Sequence, residues 1–306
     1  MLRIYWMAAR LGIIALAAVS SACTTLSFAI ANVPASFGAY DRTADLTYGT
    51  DPRQKLDVYV PQQKGENRPV VIFWYGGSWT EGSRLSYRFV GAALAERGFV
   101  TVLPDYRLYP KVKFPEFLND GAQAVAWVQQ HAREFGGDPQ RVVLMGHSAG
   151  GHMAAYLALN REFLAKSGAK PEWIAGFVGL SGPYVLVPNT RALRTNFSRP
   201  YTEADWQPLR FVTHESPPGF LAHGLSDHLV SVAQTEQLRD ALRMNDVRVE
   251  AHLYPGLGHA DTVAALSIPA RNRAPVLDQV SDFIRSVTSS SPATAQNDLP
   301  RRSARW

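Results

Sequence analysis

From residue 55 onward, short apolar runs rich in Val, Ile, Leu and Phe alternate with longer segments of helical period. Strands separated by crossover helices pair in parallel, and runs that are apolar at every position need cover on both faces, so few architectures remain open. "KLDVYV" and "PVVIFWY" read as strands, and "RLSYRFVGAALAERG" as a helix closed by Gly98. "FVTVLPDYR" is the next strand, "FLNDGAQAVAWVQQHAREF" the next helix, and "RVVLMG" a third strong strand. Further on, "WIAGFVGLSG", "GFLAHG" and "VEAHLYPG" read as strands, while "VSVAQTEQLRDALRMN" and "APVLDQVSDFIRSV" read as helices. The expected fold class is α/β, a mostly parallel central sheet with helices on both faces. No Pro/Gly/Ser-rich linker interrupts the middle of the 306 residues and no repeat is visible, which predicts one large domain over 53–288.

The two ends differ from this pattern. "MLRIYWMAARLGIIALAAVSSAC" has early arginines, a short apolar stretch from Leu11 to Val19 and then small residues, the layout of an export signal over 1–22. The stretch is short for a membrane span. "VSSAC" resembles a bacterial lipoprotein signal, which implies lipid attachment at Cys23 and an exported, periplasmic or cell-envelope protein. Ser20 departs from that pattern, where an aliphatic residue is usual. Cleavage after Ala22 or Ala31, an uncleaved anchor, or a buried helix with an inert thiol are the competing readings. Cys23 is the only cysteine, so no internal disulfide can form. Residues 23–52 are expected to hold a linker and the first strands, and 289–306, polar and low in complexity, a disordered tail.

The formal charge of +5 sits largely in these ends. Five of the 31 basic and one of the 26 acidic residues lie in 1–22 and 289–306, leaving 26 basic against 25 acidic. A body so nearly neutral argues against a nucleic-acid partner.

The chemistry is concentrated in "LMGHSAGGHM", residues 144–153. A bare G-x-S-x-G is common, but Gly146, Ser148 and Gly150 follow an apolar strand and precede a helical run, the strand, turn and helix of a nucleophile elbow. Such a turn lifts the serine hydroxyl above the sheet and needs small flanking residues, which Gly146, Gly150 and Gly151 supply. The adjacent His147 is expected to diverge from the hydroxyl around the turn, and His152 to pack along the helix. The base is expected on the loop after the last strand, which returns to the same carboxyl edge, and "YPGLGHAD" puts His259 there. His223 and His228 flank a strand end as site neighbours. "GFLAHGLSDHLV" supplies Asp227 to orient the base, in the order Ser148, Asp227, His259. A loop aspartate is also an ordinary turn former, and Asp261 is the nearest rival. Backbone donors for an oxyanion are expected after the strand "VIFWYGGSW": the amides of Gly77 and Ser78, beside Gly76, with that of Ala149. Trp79 is expected to line the substrate site.

These stretches together resemble the α/β-hydrolase superfamily, and within it the small esterases with an H-G-G-x-W oxyanion motif, which include carboxylesterase, kynurenine formamidase and prenylcysteine methylesterase types. "YGGSW", "PDYRLYP", "GGDPQRVVLMGHSAGGH", "HGLSDHLV" and "GLGH" occur in the family's order over about 53–288. The resemblance implies Ser148 as nucleophile, Asp227 and His259 as its partners, and an oxyanion hole from Gly77, Ser78 and Ala149. Tyr75 stands where the family usually has histidine. Asp105 and Arg107 of "PDYR" read as structural supports.

The insertion 185–218 is long enough only for a small cap, which predicts an open site for short-chain carboxylic esters and two-step acyl transfer. No metal or organic cofactor is implied. An amidase, formamidase or peptidase would use the same residues, and an anchored binding protein with an idle triad is a reading from another class.

Overall fold

The computed structural model describes residues 28–289. The expected export signal, Cys23 and all but the first residue of the expected tail lie outside them. Eight strands form one sheet: β1 (Tyr40–Thr47), β2 (Lys55–Pro61), β3 (Arg68–Trp74), β4 (Val100–Pro104), β5 (Gly137–His147), β6 (Ile174–Leu180), β7 (Gly219–Gly224) and β8 (Val249–Tyr254). Their spatial order is β1-β2-β4-β3-β5-β6-β7-β8. β2 runs antiparallel to β1 and β4, and every other pairing is parallel.

Five longer helices flank the sheet: α1 (Arg88–Glu96), α2 (Glu116–His131), α3 (Ala149–Leu159), α4 (Val232–Met244) and α5 (Val276–Thr288). α1 packs against α5, and α2 against α3. In α5 the residues Val276, Val280, Phe283 and Ile284 recur at helical spacing and are buried, one apolar stripe against the sheet. α3 has no such stripe, because all eleven of its residues are buried. Its outer side is covered by the insertion, where Tyr156 meets Phe211 with ring centroids 5.1 Å apart. The insertion itself holds two short helices, Arg191–Asn196 and Glu203–Trp206, and one 3-10 turn, Pro208–Phe211.

Among the described residues 28–52 there is one strand, β1, where the sequence reading expected a linker and the first strands. β1 has no fully buried residue, so hydrophobic periodicity could not locate it. Residues 28–35 are helical, and Asn32 reaches from there to the start of α1, its Oδ1 accepting from the Phe89 N–H at 2.9 Å. Among the described residues no helix is long and apolar enough to cross a membrane.

Candidate active site

β5 runs at the centre of the sheet and delivers Ser148 at its carboxyl end, between the strand and α3. The serine has φ 54° and ψ −121°, a conformation an L residue adopts only at a cost of about 1–3 kcal/mol. It is held there by its own N–H, which donates to the Leu180 carbonyl of β6 at 2.8 Å. The turn also brings the backbone of Gly150 against β3: a methyl group on Gly150 would lie 2.0 Å from the Trp74 carbonyl oxygen. Only glycine fits that approach.

His259 sits on the loop after β8, and its Nε2 is 2.8 Å from Ser148 Oγ. Its Nδ1 is 2.7 Å from Asp227 Oδ2, on the loop after β7. A carboxylate only accepts, so Nδ1 carries the hydrogen and Nε2 is free to accept from the serine hydroxyl. Asp227 Oδ1 takes the N–H groups of Leu229 and Val230, each at 2.9 Å. Its Oδ2 is also 3.1 Å from His223 Nε2. The Asp227 side chain is fully buried. Burial works against its charge, but the hydrogen bonds from His223, His259 and the Val230 amide outweigh that and hold the carboxyl well below the usual carboxylate range.

The rival groups are occupied elsewhere. Asp261 accepts from the Gly258 N–H at 2.7 Å and pairs with Arg273, so it shapes the histidine loop instead of touching the His259 ring. His147 is buried and donates from Nε2 to the His259 carbonyl at 3.0 Å. Burial, helped by the neighbouring His259, pushes its pKa down to about 3. His152 is fully buried and donates from Nε2 to the Trp206 carbonyl at 2.7 Å, tying α3 to the insertion; burial pushes its pKa down to about 4. Neither ring makes a hydrogen bond to the Ser148 hydroxyl.

The loop after β3 lies on the other side of Ser148. A methyl on Gly76 would sit 2.9 Å from Ser148 Cβ, which fixes how close the two segments run. Gly77 has φ +122°, and its carbonyl accepts from both Thr80 and Glu81 N–H groups at 2.9 and 3.1 Å. A side chain there would be strained, and a methyl would meet the Glu81 carbonyl oxygen at 2.2 Å. Ser78 and Trp79 also have positive φ, 51° and 59°. Among the described residues the N–H groups of Gly77 and Ser78 have no protein acceptor. That of Ala149 opens α3, where the first amides have no partner within a helix. These three N–H groups are thus left without a protein acceptor among the described residues.

Tyr75 braces this loop by a route of its own. Its ring stacks on Tyr106 with centroids 4.7 Å apart, and its hydroxyl accepts from Arg53 at 2.7 Å. The same guanidinium donates to the Gly82 carbonyl at 2.9 Å, at the far end of the loop. Beyond Gly82, Arg84 pairs with the buried Asp57 and Asp105. Asp105 is thus a support, as is Arg107, which pairs with the buried Asp120 at 2.6 Å. Arg53 was not singled out in the sequence, which carries no local signal for a contact 22 positions away.

Trp79 corrects one expectation. It is only 2% exposed, and its ring packs against His152, Phe197 and Phe117 at 5.0, 4.8 and 5.7 Å. It links the loop to the insertion, through Phe197, and presents almost no surface to an open site.

A central mostly parallel sheet, a serine on a strained strand-to-helix turn, and a histidine and an acid on later loops of the same edge define an α/β-hydrolase. The BD-FAE family model matches residues 56–242, more than half of the chain, which belongs to that family of α/β-hydrolase esterases. The chain is 31% identical over 239 residues to a probable isoprenylcysteine alpha-carbonyl methylesterase of Oryza sativa subsp. japonica, covering 71% of this chain and 56% of the relative. It is 30% identical over 235 residues to Esterase LipC of Mycobacterium tuberculosis, covering 70% and 58%. The chain thus spans about half the length of the curated relatives it matches. Esterase B from Lactobacillus rhamnosis, solved with a tributyrin phosphonate inhibitor, superposes with a TM-score of 0.75 over 90% of this chain and 96% of its own, at 20% identity. A truncated carbohydrate esterase from gut microbiota gives 0.71 over 82% and 98%, at 19% identity. At such identities these two structures speak for the fold.

Proposed function

We propose that the chain is a serine esterase that hydrolyses short-chain carboxylic esters through an acyl-enzyme, with Ser148 as nucleophile, His259 as base and Asp227 as the group that orients it. The observation that carries this reading is the continuous line from Ser148 Oγ to His259 Nε2 at 2.8 Å and from His259 Nδ1 to Asp227 Oδ2 at 2.7 Å. Ser148 Oγ attacks the ester carbonyl while His259 takes its proton, and Asp227 stabilises the resulting imidazolium. The oxyanion forms beside the amides of Gly77, Ser78 and Ala149. His259 returns the proton to the departing alcohol, and water then repeats the sequence to release the acid.

The preference for short acyl groups follows from the cap. The insertion is small and packed down onto α3 and Trp79, so it offers no large apolar wall for a long chain. A panel of p-nitrophenyl esters tests this: the account expects acetate and butyrate to outrun long-chain esters and triglyceride emulsions, and the reverse order contradicts it. A matched amide should be cleaved far more slowly than its ester. From the sequence of 1–23 we also infer export with lipid attachment at Cys23, for which incorporation of radiolabelled palmitate, lost in Cys23→Ser, is the check.

A further inference from the structure

The acid at the end of the relay has a second imidazole. His223, the next-to-last residue of β7, is fully buried. Its Nε2 lies 3.1 Å from Asp227 Oδ2 and 3.0 Å from the Val230 carbonyl oxygen, and its Nδ1 lies 2.7 Å from Thr235 Oγ1 on α4. The carboxylate and the carbonyl can only accept, so Nε2 carries the hydrogen. In the neutral ring Nδ1 is then an acceptor, and the Thr235 hydroxyl is the donor that satisfies it. Nε2 thus shares its one hydrogen between the Val230 carbonyl and Asp227 Oδ2, so that Oδ2 takes the N–H of the base and part of a second imidazole N–H, from a histidine that makes no hydrogen bond to the serine.

We propose that His223 is a positioning residue for the esterase reaction, fixing the Asp227 carboxylate and drawing off part of its charge so that Asp227 orients His259 without holding it as the imidazolium. The proposal rests on the Ser148, His259 and Asp227 reading given above. Its physical content is a balance. A buried carboxylate left with one imidazole instead of two concentrates its charge on the remaining partner, which favours the protonated form of that partner. It is also less tightly fixed, since Oδ2 keeps one bond in place of two. A second histidine on the same oxygen removes both faults at once. Thr235 completes the device, because a hydroxyl donating to Nδ1 favours the neutral tautomer whose other nitrogen points at the acid.

The titratable and charged groups around the pair are few. Besides Asp227 and His259 they comprise His147, which burial keeps neutral with a pKa pushed down to about 3, Asp261, engaged by Arg273, and His228, exposed on the same turn as Asp227. From α4 the group in contact is Thr235, which is uncharged. The charge that responds to a change at His223 is thus that of the Asp227–His259 pair.

The test uses the purified full chain, p-nitrophenyl butyrate as probe, and three variants. His223→Leu removes the donor, His223→Gln keeps an N–H in reach of Asp227, and Thr235→Val removes the donor to Nδ1. For His223→Leu we expect kcat to fall about tenfold or more with KM little changed. The acid limb of the kcat/KM profile should move to higher pH by about half a unit or more. His223→Gln should recover both effects in part, and Thr235→Val should show the same shift at smaller size, which keeps the test open if His223→Leu fails to fold. A pH profile that superimposes on the wild type in every folded variant, whatever the rate, overturns the proposal and leaves His223 as packing. A wild type whose activity survives Ser148→Ala overturns the reading of the site itself, and the proposal with it.

Discussion

On one side of Ser148, Asp227 and His259 are held by single hydrogen bonds on loops after β7 and β8: the Leu229 and Val230 amides and His223 on the acid, and the His147 ring on the His259 carbonyl. On the other side, the loop after β3 is held by contact. Gly77 fits against the Glu81 carbonyl, Tyr75 stacks on Tyr106, and Trp79 is buried among His152, Phe197 and Phe117. The relay side can lose one bond while the core stays intact. The oxyanion side shares its atoms with the core, so there a change in activity brings a change in stability. Rate should therefore change without stability on the first side, whereas on the second a loss of rate should come with a loss of stability.

The largest effect should come from His259→Ala, which is expected to lower kcat for p-nitrophenyl butyrate by about 10⁴-fold or more with little change in thermal stability. His152→Ala, on the packed side, should keep most of the rate and lose stability, because it empties a buried site and leaves the Trp206 carbonyl unpaired. Equal loss of rate in the two variants would mean that the base has been misplaced. Gly77→Ala comes next, with a fall of about 10²-fold or more from displaced donors and about 1–3 kcal/mol of stability from the forced contact with Glu81. If calorimetry finds Gly77→Ala as stable as the wild type, the coupling claimed for this side fails.

A smaller effect is expected from Tyr75→Phe, which keeps the ring stack and removes only the hydroxyl that accepts from Arg53. Urea titration should find about 1 kcal/mol lost, with a rate reduced several-fold. The smallest is a slope. Asp57 is buried, which opposes its charge, yet the Asp45 amide, Arg42 and Arg84 hold its carboxyl below the usual range. A depressed folded-state pKa stabilises above the unfolded value near about 4 and is lost as pH falls below it. Stability of the wild type should thus drop as pH falls below about 4, and less steeply in Asp57→Asn. A slope unchanged in that variant would show that the anchor beneath the oxyanion loop does not titrate as described.

The same contrast explains what could be read from the sequence. Apolar runs such as "PVVIFWY" and "RVVLMG" are buried along the strand and announce the parallel core, whereas β1 lies at the sheet edge with five of its eight residues exposed and carries no pattern. Ser148, Asp227 and His259 were legible as neighbours because each follows a strand of one parallel sheet, and parallel strands bring their following loops to one edge. The contacts that hold them were not. Arg53 meets Tyr75 across the antiparallel entry to the sheet, and His223 meets Asp227 through the fold of a turn, relations that depend on tertiary geometry and leave no periodic trace. Trp79 is expected from the sequence to line the site, but its ring is taken up by His152, Phe197 and Phe117.

The central claim is that Ser148 is activated by His259. Labelling of the folded protein with a fluorophosphonate probe, located by peptide mass spectrometry, tests it most directly. The account predicts stoichiometric modification at Ser148 in the wild type and a loss of nearly all labelling in His259→Ala. Modification at another residue, or equal labelling in the two proteins, would contradict it.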